Sequence, residues 1–344
     1  MKALVMEEYN HLVYKDVPTP VAGPGEVLIR VKACSVCGSD VHGLDGSTGR
    51  RRPPIIMGHE ASGVIEACGE GVTDYKVGDR VTFDSTIYCN ECENCKNGLV
   101  NLCDNRQVLG VSCEEYRRHG AFAEYVVVPA YVLYKMPDNV TFVQASMVEP
   151  MSVAYHGVTR APIPVGGVAL VMGAGTIGML AIAILHSLGV GTVIAVDMSQ
   201  RRLELAKQNG ADVCLNPKVD NVDARIMELT NGKGVDASYE MIGLGPTVVQ
   251  CINNTKLNGD VVLVGNVTPN IQVPLQVIVT HQLTLSGSCA SAGEYDKCLE
   301  LIASGSVDVD SMSSKCVPLS EGDDWVRKVY NREDGLDKIV LIPD

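Results

Sequence analysis

The sequence is short of basic residues, since 28 Lys and Arg stand against 41 Asp and Glu for a formal net charge of −13 over 344 residues. A nucleic-acid-binding protein needs a clustered basic face, so this balance argues against a nucleic-acid partner. Long apolar runs are missing too, because the longest, Ile177 to Leu185, is too short to span a bilayer. The first ten residues carry acidic side chains where an export signal needs an apolar run. We therefore expect a cytoplasmic protein with no membrane partner.

Cysteine, by contrast, is abundant, with 13 in the chain. A chain that stays in the cytosol does not keep a disulfide framework, so these thiols must be metal ligands, catalytic groups or buried packing residues. The length suggests about two domains. The hydrophobic fraction of 46% is ample for a packed core and argues against disorder.

Two sequence textures alternate along the chain. Residues 1–155 hold short β-like runs broken by Gly and Pro, which predicts a mainly β domain. Within residues 156–289, apolar strands alternate with helical periods, which predicts right-handed βαβ units and an α/β domain with a doubly wound parallel sheet. Residues 290–344 return to mixed texture and end in a strand. We expect the α/β domain to be inserted near the end of the β domain, which the last segment completes.

Four cysteines lie within one short segment, YCNECENCKNGLVNLC. Their spacing, C-x2-C-x2-C-x7-C, predicts a closed tetrahedral thiolate shell around a d10 ion, formed by Cys89, Cys92, Cys95 and Cys103. An iron–sulfur cluster is the rival interpretation, since it also takes four cysteines. No second cluster motif accompanies this one, and a shell without an open position is typical of structural zinc.

A second set of possible metal ligands is spread over separate motifs. Cys37 opens CGSDVH, and His59 and Glu60 follow in GHE. A thiolate, an imidazole and a carboxylate are what a catalytic zinc needs, because it keeps one position open for water or substrate. The third protein ligand is either Glu60, which we also place among the catalytic residues, or Glu149 in VEPMSVAYHG.

Three residues next to Cys37 could serve this second site. Asp40 is a candidate carboxylate for holding the His59 ring in one tautomer. Ser39 is predicted to take the proton from a zinc-bound alcohol, and His42 to pass that proton to solvent.

A glycine-rich turn follows an apolar strand in GVALVMGAGTIGMLAIAI. Gly173-x-Gly175-x-x-Gly178 is the spacing that lets a pyrophosphate approach the amides of a helix N-terminus. Asp197 ends the next predicted strand, where its carboxylate can accept both ribose hydroxyls and repel a 2′-phosphate. NAD is therefore favoured over NADP, although Arg201 and Arg202 could accommodate a phosphate. The residues expected at the nucleotide are Gly173, Gly175, Thr176, Ile177, Gly178, Asp197 and Arg202.

These motifs together resemble the zinc-dependent medium-chain alcohol dehydrogenases, and within them the sorbitol (polyol) dehydrogenase-like group. The matching segments include GEVLIRVKACSVCGSDVH, PPIIMGHEASGVIEACGEGV, VGDRVTF, GAFAEYVVVP, EPMSVAYHG and VMGAGTIG, and they run in family order over nearly the whole chain. The resemblance implies a GroES-like catalytic domain, an inserted Rossmann domain and an active site in the cleft between them. It also implies a homodimer or homotetramer joined through the nucleotide-binding domains.

Carried onto this sequence, the resemblance implies that Cys37, His59 and a glutamate hold the catalytic zinc and that Ser39 begins a proton relay. Ethanol-type enzymes have a cysteine at the position of Glu149, whereas polyol-type enzymes have glutamate there. The implied reaction is hydride transfer from a secondary hydroxyl of a polyol or sugar alcohol to NAD, giving the ketose. Threonine dehydrogenases are the alternative, but they tend to carry Asp-Pro-Phe-Gly where this chain has EPMS.

Arg50, Arg51 and Arg52 form a basic run between two pieces of the second metal site. If this loop borders the active site, it favours an anionic substrate such as a phosphate ester. The plainer interpretation, which we prefer, is a solvated loop or a subunit contact.

Overall fold

The protein is described by a computed structural model that covers residues 1–113, 116–331, 333 and 335–343. Its strands are β1 Lys2–Glu8, β2 His11–Asp16, β3 Glu26–Ser35, β4 Ile55–Ile56, β5 Glu60–Cys68, β6 Arg80–Phe83, β7 Thr86–Ile87, β8 Gln107–Val108, β9 Val111–Cys113, β10 Tyr116–Arg118, β11 Tyr125–Pro129, β12 Leu133–Lys135, β13 Val168–Met172, β14 Thr192–Val196, β15 Val213–Leu215, β16 Val235–Glu240, β17 Thr255–Leu263, β18 Thr284–Gly287, β19 Lys315–Pro318 and β20 Ile339–Ile342. Its α-helices are α1 Gly38–His42, α2 Glu93–Lys96, α3 Phe142–Ser146, α4 Val148–Thr159, α5 Thr176–Ser187, α6 Gln200–Gln208, α7 Val222–Leu229, α8 Gly245–Asn254, α9 Leu275–Thr280, α10 Tyr295–Ala303 and α11 Gly322–Tyr330.

The chain divides into two compact units. One comprises Met1–Pro150, Ala292–Ser304 and Val309–Asp344, and the other comprises Met151–Ser291 and Gly305–Asp308. The sequence places the first boundary at 155/156, five residues later than the structure does. The difference arises because the turn-rich β texture ends inside α4, a continuous helix that contributes residues to both units.

The first unit is built on a mainly antiparallel seven-stranded sheet, in which β3 and β5 are the central pair. In the register of this pair Ser35 lies opposite Glu60, so the end of one strand meets the start of the other. The last strand, β20, pairs with the same end of β3 and carries the C-terminal segment to it. Three remote parts of the sequence therefore converge at one corner of the sheet.

The second unit is a parallel six-stranded sheet in the order β15-β14-β13-β16-β17-β18. Its first strand in sequence lies in the middle of the sheet, which is the doubly wound arrangement. The strands read as continuous apolar runs because both faces are covered, and Val193 through Val196 are all buried. The α/β class with a second, mainly β unit was predicted from the sequence and is confirmed.

Helix α5 packs tightly against the strand that precedes it. All its residues from Gly178 to Leu185 are buried, which explains why this helix is apolar on every side. A Cβ at Gly178 would lie 1.8 Å from the carbonyl oxygen of Gly173, so only glycine allows this approach. Across the residues that the structure describes, no helix has the length and apolarity to cross a membrane.

Candidate metal centres and nucleotide-binding loop

The corner of the first unit brings Cys37, His59 and Glu60 together. One ligand atom from each of the three lies within 4.8 Å of the others. Cys37 caps the N-terminus of α1 after β3, Glu60 begins β5 and His59 directly precedes it, so the β3–β5 register brings the ligands together. Gly58 is required just before them because its φ is +88° and a Cβ there would lie 2.3 Å from the Phe122 ring.

The chemistry of this group fits a zinc ion. His59 is 6% exposed and Glu60 is fully buried, and Oε1 of Glu60 has no hydrogen-bond partner in the described part of the chain. An unpaired buried carboxylate oxygen is expensive unless a cation neutralises it. Loss of hydration and the neighbouring Glu60 charge raise the pKa of the Cys37 thiol, so its thiolate also needs a cation. A sulfur, a nitrogen and an oxygen ligand are a set that zinc accepts.

The other oxygen of Glu60 is held by Lys338. The Lys338 Nζ pairs with Glu60 Oε2, and both side chains are almost completely buried. Burial alone would lower the pKa of Lys338, but the Glu60 charge outweighs that effect and raises the pKa. No sequence signal marks Lys338 as a site residue, because it lies 278 positions from Glu60 and nothing in DKIVLIP distinguishes the lysine.

Glu149, the alternative zinc ligand, lies outside this compact group in the described residues. Its Oε1 accepts a hydrogen bond of 2.9 Å from the Ser85 hydroxyl. Loss of hydration raises the pKa of Glu149 to about 7, with His59 opposing that rise and Glu60 adding to it. Because both neighbours act on it electrostatically, Glu149 lies close to the site.

Asp40 faces the imidazole, as its predicted role requires. Its Oδ1 is 3.6 Å from His59 Nδ1, which leaves Nε2 as the nitrogen for a metal. Burial would raise the pKa of Asp40, but His59 and Arg51 together lower it. The carboxylate is therefore charged and can orient the ring.

Ser39 and His42 both lie on α1 and both are exposed. The Ser39 hydroxyl is 3.2 Å from Cys37 Sγ, so it is next to a candidate ligand. Among the described residues, no side-chain hydrogen bond joins Ser39 to His42, which lies three residues further along the helix. The placement suits a proton acceptor at Ser39 and a solvent-exposed group at His42.

The basic run does not lie where we expected it. Arg50 is exposed, but Arg51 is only 2% exposed and donates hydrogen bonds to Asp40 and Ser39. Of the two preferred interpretations, a solvated loop or a subunit contact, the solvated loop is therefore wrong for Arg51. The anionic-substrate interpretation fails for this residue as well, because its guanidinium is bound by a carboxylate of the protein. A guanidinium enters the interior when a charged partner offsets its lost hydration.

The four-cysteine segment forms a second compact group. The Sγ atoms of Cys89, Cys92, Cys95 and Cys103 all lie within 4.8 Å of one another. Backbone N–H groups of Glu91 and Cys92 donate to Cys89 Sγ at 3.4 Å and lower the pKa of that thiol to about 6. Loss of hydration and the adjacent Cys92 thiol raise the pKa of Cys95 to about 12. Four sulfurs this close can all be thiolates only where a cation such as zinc offsets their charge, so the grouping fits a zinc ion.

The other cysteines show no metal grouping among the described side chains. Cys34, Cys251 and Cys298 are buried, Cys68 and Cys214 are partly buried, and Cys289 and Cys316 are exposed. The side chain of Cys113 lies outside the described residues.

In the second unit, the glycine-rich turn joins β13 to α5. Gly173 has φ of +97°, and a Cβ there would lie 2.5 Å from the Ile242 side chain. Gly175 is different, because a Cβ would meet nothing within 4 Å, so its side faces open space. Helix α5 begins at Thr176 and Ile177 without a side-chain cap, which suits a phosphate at its N-terminus.

Asp197 lies beside this turn, after β14. Its Oδ2 accepts from the Ala174 N–H at 2.9 Å and its Oδ1 from the Ser199 N–H at 2.8 Å. The Arg202 Nη1 is 3.8 Å from the same Oδ2. The carboxylate is therefore fixed against the glycine-rich turn, where a ribose would lie. No sequence motif marks Glu240 at the end of β16 as a site residue. Its buried carboxylate accepts a hydrogen bond from the Gly243 N–H in the loop that follows.

Comparison with known proteins gives consistent matches. Residues 23–138 match an alcohol dehydrogenase GroES-like domain, and residues 176–304 match a zinc-binding dehydrogenase domain. Sorbitol dehydrogenase of Bacillus subtilis (strain 168) is 32% identical over 349 residues, which cover 100% of this chain and 98% of that protein. A protein from Sinorhizobium meliloti 1021, solved with NADP bound, aligns with a TM-score of 0.91 at 30% identity over 99% of both chains. An alcohol dehydrogenase from E. coli CFT073, solved with NADH, aligns with a TM-score of 0.92 at 28% identity over 99% of both chains.

Proposed function

Because this chain belongs to the zinc-dependent medium-chain alcohol dehydrogenases, in the polyol dehydrogenase-like group, we propose that it oxidises a secondary hydroxyl of a polyol or sugar alcohol to the ketone with NAD. The observation that carries the proposal is the buried group of Cys37, His59 and Glu60 with its unpaired Glu60 oxygen. Glutamate rather than cysteine at position 149 and the similarity to a sorbitol dehydrogenase support the polyol substrate class. They do not favour the threonine dehydrogenase-like alternative.

In this proposal the site residues bind the substrate oxygen and carry away its proton. Zinc, held by Cys37, His59 and Glu60, supplies Lewis acidity that lowers the pKa of an alcohol, and the nicotinamide supplies the hydride acceptor. Ser39 Oγ receives the hydroxyl proton as its own proton leaves toward solvent. His42, exposed at the end of the same helix, is the acceptor on the solvent side. Asp40 keeps the His59 ring in one orientation.

An oxidation screen tests the substrate class. We expect NADH formation from free polyols with a secondary hydroxyl, and less from primary alcohols or hydroxy amino acids. Polyol phosphates are included in the same screen. We expect no preference for them, because the Arg51 guanidinium is bound to Asp40 and offers no site for a phosphate. Preferential oxidation of threonine would contradict the proposal.

We propose NAD rather than NADP as the preferred cofactor, on the basis of the Asp197 carboxylate beside the glycine-rich turn. Replacing Asp197 by alanine removes the acceptor of the ribose hydroxyls. We expect kcat/KM with NAD to fall about 10- to 100-fold, because hydrogen bonds to charged groups contribute about 1.5–3 kcal/mol. Activity with NADP should fall less or rise, because a carboxylate that repels the 2′-phosphate is gone. Steady-state kinetics with both cofactors measure the change.

The matched control for this variant is Glu204→Ala, which removes an exposed negative charge from the neighbouring helix α6. It should leave both cofactor constants unchanged. An unchanged NAD/NADP ratio in Asp197→Ala would show that Arg201 and Arg202 set the preference instead.

We also propose a homodimer or homotetramer joined through the second unit. Its helix α9 exposes Leu275 and Val279, each 68% exposed, and Val267 nearby in sequence is 63% exposed. Strand β18 is an edge strand of the parallel sheet. Exposed apolar side chains beside an open sheet edge are typical of an interface. Light scattering should give two or four times the chain mass, and the mass of a single chain would contradict the proposal.

We further propose a cytoplasmic location, because unmodified thiolates such as those of the four-cysteine segment persist in a reducing compartment.

A further inference from the structure

Arg51 is one of the largest fully buried side chains of the described protein. It belongs to the segment between α1 and β4, and its aliphatic stem lies against α1. A Cβ at Gly43 would lie 2.5 Å from Arg51 Cγ, so the helix ends in a glycine where the arginine passes. Burying a guanidinium is unfavourable by several kcal/mol unless it is paired, so its hydrogen-bond partners must explain why it is buried.

Besides the Arg50 carbonyl oxygen, its guanidinium hydrogen-bonds to two consecutive residues of α1. One nitrogen, Arg51 Nη2, donates to Asp40 Oδ1 at 2.8 Å and to Ser39 Oγ at 3.1 Å. These are the carboxylate that faces His59 and the hydroxyl that we assign to proton transfer. Neither contact is with substrate or with a candidate metal ligand, so Arg51 acts through other residues.

Asp40 is shared between two partners. Its Oδ1 lies 2.8 Å from Arg51 Nη2 and 3.6 Å from His59 Nδ1. A carboxylate that orients a metal-bound imidazole also increases the electron donation of the ring to the metal. An arginine on the same oxygen draws negative charge away from the imidazole and fixes the carboxylate in place.

Ser39 is restricted in the same way. Its oxygen has two lone pairs and one hydrogen, and one lone pair accepts from Arg51 Nη2. The remaining lone pair and the hydrogen then have fixed directions, and the oxygen lies 3.2 Å from Cys37 Sγ. An exposed serine without this contact would rotate freely among its rotamers.

We propose that Arg51 is a positioning residue of the catalytic site, which holds Ser39 ready to accept the substrate proton and balances the charge of Asp40 behind His59. This inference rests on the proposed function. It assigns to the basic run a role in the reaction that does not involve binding an anionic substrate.

The alternative is that Arg51 only anchors the 43–54 segment. The two roles differ in how substitutions at Arg51 and Ser39 combine. If Arg51 acts mainly by orienting Ser39, most of the effect of its loss on kcat requires the Ser39 hydroxyl. If it only anchors the segment, its loss adds to that of Ser39→Ala.

The experiment compares Arg51→Met, Arg51→Lys, Ser39→Ala and the double variants Arg51→Met/Ser39→Ala and Arg51→Met/Asp40→Asn. Arg50→Met is the matched control, because its side chain is exposed and adjacent. Zinc content and thermal unfolding are measured for each variant. If Arg51→Met does not fold, Arg51→Met/Asp40→Asn is measured in its place, because removing both buried charges together is far less destabilising than leaving one unpaired.

We expect Arg51→Met to keep both zinc ions and to lose kcat by about 100-fold with little change in KM, because misplacing a group outside the chemistry can have that effect. Arg51→Lys should recover at least about tenfold of that loss, since it keeps the charge and a donor. In the Ser39→Ala background, Arg51→Met should lower kcat much less than it does alone, leaving only the part of the loss that acts through Asp40.

An independent readout is the visible spectrum of the protein with cobalt(II) in the Cys37 site. Arg51→Met should shift the spectrum, because the Asp40–His59 pair changes, and Arg50→Met should not. An unshifted spectrum in a folded variant, or additive losses in the double variant, would overturn the inference. Absence of any polyol oxidation by the unmodified protein would instead refute the proposed function, and the cobalt spectrum would still decide the role of Arg51 at the metal.

Discussion

Replacing Cys37 by serine is expected to remove one of two zinc ions per chain and to lower turnover by about 1,000-fold or more. The site would lose its only thiolate, leaving His59 and Glu60, too few ligands to hold the ion firmly. Zinc as a Lewis acid contributes several kcal/mol to the stabilisation of the transition state, and about 4 kcal/mol corresponds to that factor. Metal analysis and steady-state kinetics on the same preparation measure both effects.

The fold should survive this substitution. Cys37 lies beyond the end of β3, outside the strand, and the glycine-rich turn belongs to the other unit, so NAD binding should persist. Cys316→Ser is the control, because that cysteine is exposed and has no metal partner in the described residues. Two zinc ions and near-normal turnover in Cys37→Ser would contradict the assignment of the site.

The second large effect is expected in the four-cysteine segment. Replacing Cys95 by serine should release the other zinc ion and unfold residues 89–103 locally. The segment has almost no core of its own, since the helix α2 inside it buries no residue. Structural zinc contributes about 10 kcal/mol or more to the folding of small metal-bound peptides, so little else holds this loop. Limited proteolysis should cut the variant between Cys89 and Cys103 well below its global unfolding temperature.

Cys68→Ser is the matched control for this variant, since Cys68 lies on β5 and its Sγ contacts a backbone carbonyl rather than another thiol. It should keep two zinc ions and resist cleavage in that segment. If Cys95→Ser kept both metal ions and its resistance to protease, the structural zinc assignment would be wrong. Iron with a visible charge-transfer band in the unmodified protein would favour the iron–sulfur alternative instead.

Motifs whose residues are close in sequence predicted correctly which of those residues lie together in the fold. The four cysteines lie within fifteen positions, and the glycine-rich turn with Asp197 lies within two strands of one sheet. In both cases the short sequence separation or the pairing of adjacent strands places the residues close together. The fold class followed from the same logic, because apolar runs alternating with helical periods leave few topologies.

The long-range contacts could not be predicted. Glu60 meets Lys338 because β20 joins β3 beside the start of β5, and no period or spacing indicates that pairing. The sequence predicts that Arg51 is solvated, because it is the middle residue of three consecutive arginines. Only the three-dimensional position of Asp40, in helix α1, explains why one arginine of three is buried. Glu149 was a candidate zinc ligand by type, but its place next to Ser85 depends on where α4 begins.

NADH formation from polyols, measured before and after zinc removal by a chelator, tests whether this protein is a polyol dehydrogenase that depends on zinc at Cys37, His59 and Glu60. We expect the protein to oxidise a polyol with a secondary hydroxyl, to lose that activity when the zinc of Cys37, His59 and Glu60 is removed, and to regain it when zinc is restored. Polyol oxidation that continues at the same rate in the zinc-free protein, or no oxidation of any polyol by the protein with two zinc ions, would contradict the account.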